Sequence, residues 1–198
     1  MSPELFAQFS NIGLVLFLII FIYASTFYDG GSKVYPNKKS WDWIYNYWCD
    51  LIWPTTILEE PNRTSKWGIA ANSILCLSMV LFFIGFSMVY SPQNNWLYII
   101  SISGTIAMIC SAFIFSEFHD KLIGIIVLSA IPSVIGIVYG LIHFNQMTSL
   151  YWGGISLFSI AVNVYIFYTK KGEKWLPLIQ KIAFVIVLSW VYFINTTI

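Results

Sequence analysis

Charge is what this sequence has least of. Ten Lys and Arg with nine Asp and Glu make up 10% of its 198 residues, whereas a soluble domain carries roughly 25%. A surface so poor in charge has to face something other than water, and lipid is the natural solvent for it. The formal net charge of +1 removes the long-range pull that nucleic-acid binding needs. The many Trp and Tyr come with too few cations to form a base-stacking groove, so no nucleic-acid partner is expected. Histidine is limited to His119 and His143, at opposite ends of one apolar run. About 24 residues of helix at 1.5 Å each hold them roughly 36 Å apart. They cannot share a metal ion or a haem, and the three-histidine site of an alkaline-ceramidase-type hydrolase is not available. Cys49, Cys76 and Cys110 are odd in number and lack metal-type spacing. No metal, cofactor or disulfide framework is expected. A basic leader and a small-residue cleavage site are also missing near the N-terminus, so the first apolar run reads as a retained span.

Long apolar runs are what the chain does have: 58% of its residues are hydrophobic. Six segments, near 9–27, 67–90, 96–116, 121–143, 150–168 and 175–195, approach the 20 or so helical residues that cross a bilayer. The expected fold is all-α, one integral membrane domain over 1–198 in which six spanning helices form a bundle. Four of the five connections are short, which sets neighbouring helices antiparallel. Lys33, Lys38, Lys39, Arg63, Lys66, Lys121, Lys170, Lys171 and Lys174 fall in the first, third and fifth connections, and Lys181 lies near the same end of the sixth run. The positive-inside tendency then makes those connections cytoplasmic and both termini external, in a cell membrane and, for a prokaryote, the inner one. Asn62-Arg-Thr64 matches a glycosylation acceptor but would face the cytoplasm, so chance accounts for it. Small residues recur at helical spacing, Ser103, Ala107 and Ser111, then Ser129, Ser133, Gly136 and Gly140. In lipid such stripes suit close helix contact, with a pore as the alternative.

The one long connection, Tyr28 to Lys66, contains Ser40-Trp-Asp-Trp-Ile-Tyr-Asn-Tyr-Trp-Cys-Asp-Leu-Ile-Trp53. At helical period Trp41, Ile44, Tyr45, Trp48, Leu51 and Ile52 share one face, and Asp42, Asn46, Cys49 and Asp50 the other. Ser40 can cap and Pro54 can close such a helix. The segment 40–53 is therefore expected to be an amphipathic aromatic helix along the cytoplasmic interface or tucked under the bundle. Polar and ionisable side chains crowd toward the same side. Asp50, Asn72, His119, Asp120, Asn163 and Gln180 could border one cavity, although ordinary helix-end snorkelling explains them too.

Tyr28-Asp-Gly-Gly-Ser32, Asn46-Tyr-Trp-Cys-Asp-Leu51 and Pro61-Asn-Arg-Thr-Ser65 resemble the pattern of an uncharacterised prokaryotic membrane family, domain of unknown function 998. It is loosely similar to six-span proteins of the FRAG, DRAM and Sfk type, some of which are tied to lipid handling. Asp50-Leu51, and Asn62 with Ser65, match that pattern position by position. Cys49 stands where the family has Ser, and Ile52 where it has Gly. An acidic, His-containing connection after the third span is also similar, here Glu117-Phe-His-Asp120. The resemblance implies six spans and leans toward lipids without implying a reaction, and it adds Asn62 and Ser65 to the binding candidates.

The function expected is binding of a lipid, a hydrophobic small molecule or a membrane subunit in a cavity open to the cytoplasmic leaflet. A lipid hydrolase or acyltransferase is the first alternative, with Cys49 as nucleophile, His119 as base and Asp50 or Asp120 orienting it. A small-solute transporter is the second. Against it, Pro132 is the only mid-span breaker and no run carries an acidic residue at its centre.

Overall fold

A proline in its first turn and Glu4 beside it, a favoured start for a helix macrodipole, begin α1 earlier than hydropathy alone suggests, at Pro3–Ser25. The computed structural model describes residues 2–90, 98–116 and 118–198. The side chains of His119 and Asp120, all of Glu117 and the connection after the second helix lie outside the described residues. The other helices are α2 (Ser65–Tyr90), α3 (Tyr98–Ala112), α4 (His119–His143), α5 (Met147–Thr169) and α6 (Leu176–Asn195). Among the described residues the only β pairing is an isolated bridge between Thr55 and Pro61.

Among the described residues five helices are long and apolar enough to cross a membrane, and α3 as described is shorter. Its 15 residues reach about 22 Å at 1.5 Å each, short of a core roughly 30 Å thick. The run expected over 96–116 stops early because its last turn loosens into three-residue steps, Phe113 N–H to Cys110 O and Ile114 N–H to Ser111 O, both 3.2 Å. The Ser111 carbonyl also accepts from the Asn72 amide of α2 at 3.0 Å, which satisfies a group that a helix end leaves open.

α1 lies along α2, α2 against α3 and α3 against α4, while α6 packs on α5 and α1. Leu14, Phe17, Phe21, Phe82, Phe86, Ile100, Leu141, Val191 and Ile194 make up the centre. Where α3 meets α4 the small-residue stripe works as helix contact. Ser103 and Ser133 hydroxyls meet at 2.7 Å, and Ser133 donates to the Ile100 carbonyl at 3.1 Å. The outward faces carry exposed Ile102, Leu128, Tyr151 and Phe158, as helices solvated by lipid require.

The stretch 40–53 is not the continuous amphipathic helix that its periodicity suggests. Only Trp48–Leu51 coils, as one 3₁₀ turn. The cause is local competition for backbone groups. Short Asx side chains bind nearby amides and offer the chain an alternative to helix. Asp42 Oδ1 accepts from Ile44 N–H at 2.9 Å and Tyr45 N–H at 3.2 Å. Asn46 Oδ1 accepts from Asp42 N–H at 2.8 Å, and Asp50 Oδ2 from Tyr47 N–H at 2.8 Å. The result is an irregular plug rather than a surface rod. Trp48 packs on Phe21 at 4.2 Å, Phe17 at 5.9 Å and Phe184 at 5.6 Å between ring centres, so the plug enters the bundle between α1 and α6.

Candidate functional site

The plug is organised by one amide. Asn46 is fully buried, and its Nδ2 donates to Gly31 O at 2.6 Å and to Asp50 Oδ2 at 2.9 Å. Gly31 can adopt the left-handed φ of 69° that turns the chain after α1, a conformation open to glycine at little cost. Lys181, 6% exposed, reaches from α6 and donates to the Asn46 carbonyl and to Pro177 O at 3.1 Å. Its ammonium lies 5.6 Å from the centre of the Trp41 ring, close enough for a cation–π attraction.

The second half of the plug is tied by Asn62. Its Nδ2 donates to Asp50 O and Trp53 O, both at 2.8 Å, and its Oδ1 accepts from the Thr64 hydroxyl at 2.7 Å. Ser65 donates to Ile52 O at 2.8 Å. Asn46, Asp50, Asn62 and Ser65 therefore belong to one hydrogen-bonded unit.

Beside that unit lies a partly open cleft of about 200 Å³, lined by Tyr28, Asp50, Trp53, Thr55, Thr56 and Ile57. Tyr28 and Thr56 are 2% and 7% exposed. Neither hydroxyl has a hydrogen-bond partner among the described residues, a costly state for a buried polar group. A methyl at Gly30 would lie 2.7 Å from the Tyr28 hydroxyl and 2.5 Å from Thr56 Cβ. Glycine is what lets these two side chains converge. Both hydrogen bonds to the Asp50 carboxylate fall on Oδ2, which leaves Oδ1 the freer acceptor. A larger hollow of about 320 Å³ lies over Val34 to Lys38, but those side chains are exposed and Lys38 already pairs with Asp42 at 2.9 Å.

Burial sets the protonation chemistry. It raises the Asp50 carboxyl above the ordinary carboxylate range, against the opposing pull of the Asn46 amide, the Tyr47 N–H and the charges of Lys181 and Lys33. Tyr28 is pushed up by burial first and then by Asp50 and Asp29, so it stays a neutral phenol. Burial, reinforced by Asp50, pushes the Cys49 thiol up to about 12. A reactive cysteine needs the reverse, because the thiolate is the nucleophile.

Of the residues singled out in the sequence, Asp50 lines the cleft, and Asn62 and Ser65 brace the backbone around it. Asn72 binds α3, as described. Asn163 donates to Ser159 O of its own helix at 2.9 Å, and Gln180 is exposed. His119 and Asp120 sit at the start of α4. Sequence reasoning missed Thr56 and the cleft role of Tyr28. Tyr28 stood within a quoted motif, but Thr56 carried no signal at all.

Five apolar helices of membrane-spanning length among the described residues mark the class, a multi-pass membrane protein. Compared with protein-family models, characterised proteins and solved structures, the chain matches none.

Proposed function

We propose that this protein binds the polar end of a lipid or a similar amphiphile in the Asp50 cleft, without chemistry of its own. The supporting observation is a buried pair of hydroxyls without partners among the described residues, beside a carboxylate, at the end of a bundle whose outer faces are apolar. Polar groups buried at such a boundary are expensive unless something pairs with them. In this reading α3 completes a sixth span, the connections rich in Lys face the cytoplasm, and the cleft opens toward that leaflet. Membership of the uncharacterised six-span family is part of the proposal. It is supported by the fact that the matched Asp50, Asn62 and Ser65 fall in one hydrogen-bonded unit.

The hydrolase or acyltransferase reading is less favoured, because Cys49 is held as an inert thiol. Lipids that co-purify with the protein, identified by native mass spectrometry, test the proposal. The wild-type protein should retain a bound amphiphile that Thr56→Trp, which fills the cleft, loses. Equal retention by both would place the bound lipid on the outer surface and overturn the reading.

A further inference from the structure

We infer that the head the cleft accepts is a neutral polyol, a vicinal diol of the kind presented by a glycerol or sugar head group; this rests on the binding reading above. Three features of the cleft carry it. The Tyr28 and Thr56 hydroxyls are buried without partners among the described residues, and each can donate one hydrogen bond and accept others. Asp50 Oδ1 can only accept while the carboxylate is ionised. A ligand that satisfies all three must bring donors and acceptors on adjacent atoms, which is what two neighbouring hydroxyls supply. One donates to Asp50, and the other exchanges hydrogen bonds with Tyr28 and Thr56.

Charge and hydrogen-bond capacity weigh against the obvious competitors. Of the residues that line the cleft only Asp50 is charged. An ammonium would gain from Asp50 but brings no acceptor for the Tyr28 and Thr56 hydroxyl protons. A phosphate would accept from those hydroxyls but meet the Asp50 carboxylate with no cation in the lining. An uncharged head carries neither penalty. Size agrees, since about 200 Å³ lies below the roughly 300 Å³ at which pockets for drug-sized ligands begin. It suits a head group, with its acyl chain left in the bilayer.

The test uses the full chain in an amine-oxide detergent, which has no hydroxyl of its own. Thermal stability is followed while four twelve-carbon probes are titrated: lauroyl glycerol, dodecanol, dodecyltrimethylammonium and dodecyl phosphate. Free glycerol forms a fifth arm. Lauroyl glycerol should act at concentrations at least tenfold below the other three amphiphiles. Thr56→Val and Tyr28→Phe should each weaken it about fivefold or more. Should Tyr28→Phe fail to fold, Thr56→Val decides alone. If the ammonium or the phosphate binds as well as the glycerol ester, and Thr56→Trp abolishes that binding, the polyol assignment falls while the cleft reading stands. If no amphiphile discriminates wild type from Thr56→Trp, both fall. Free glycerol acting as strongly as its ester would keep the diol chemistry and overturn the lipid as its source.

Discussion

Replacing Tyr28 by Phe removes one oxygen and leaves the ring where it is. The ring stays edge-on to Trp41, with centres 5.4 Å apart, so packing is nearly unchanged. The hydroxyl removed is buried and has no partner among the described residues. An unsatisfied buried donor costs about 1–3 kcal/mol, and the lower end is taken as the minimum effect. Tyr28→Phe should therefore stabilise the ligand-free protein by about 1 kcal/mol. For a chain of this length that corresponds to roughly 2–4 °C in melting temperature. The assay is thermal unfolding by tryptophan fluorescence in a detergent lacking hydroxyls, paired with an equilibrium titration in a denaturing detergent. The direction distinguishes this from ordinary mutagenesis, because most buried substitutions destabilise. A loss of more than about 1 kcal/mol would mean that the hydroxyl holds a bond in the folded protein. The Tyr28 hydroxyl would then not be an unpaired group.

Asn46→Ala should behave oppositely. It strands Asp42 N–H, Gly31 O and one partner of Asp50, so a loss of about 3 kcal/mol is expected, read from the same unfolding titration. Asp50 gives a pH signature. Its folded carboxyl is raised by burial, so the stability it contributes is complete below the unfolded value of about 3.9 and fades as pH rises through the higher folded value. Asp42 opposes this. Although burial pushes it upward, Lys38 and the Ile44 and Tyr45 amides hold it low, so its contribution is present above about 3.9 and is lost as pH falls through the lowered value. Asp50→Asn should abolish the decline above about pH 4 while leaving the acid limb. Parallel profiles for the two proteins would refute the assignment. Cys49, with its thiol at about 12, should resist iodoacetamide at pH 8 in the folded protein and react once denatured, which mass spectrometry of the peptide can follow; rapid labelling of the folded protein would contradict the burial argument.

The helices were legible because lipid rewards uninterrupted apolarity, and that signal needs no knowledge of neighbours. Their ends were less so. Pro3 and Glu4 extend α1 past its hydrophobic run, while α3 stops where Asn72 takes the Ser111 carbonyl, a contact between residues 39 apart. The plug misled because Trp41, Trp48 and Leu51 do recur near helical spacing. Periodicity records which side chains are apolar. It does not record that Asp42, Asn46 and Asp50 would claim the amides a helix needs. Within the cleft, Asp50 stood out by charge beside apolar neighbours. Thr56 looked like any loop threonine, since its burial depends on Gly30 passing within reach.

The bond from Lys181 to the Asn46 carbonyl joins positions 135 apart in the sequence. A ribosome adding 5–20 residues per second needs roughly 7–27 s to cover that interval. For that time the tryptophan-rich stretch after α1 emerges with its clasp not yet synthesised. A nascent chain interrupted before α6 would keep an unlatched, sticky end at the water boundary.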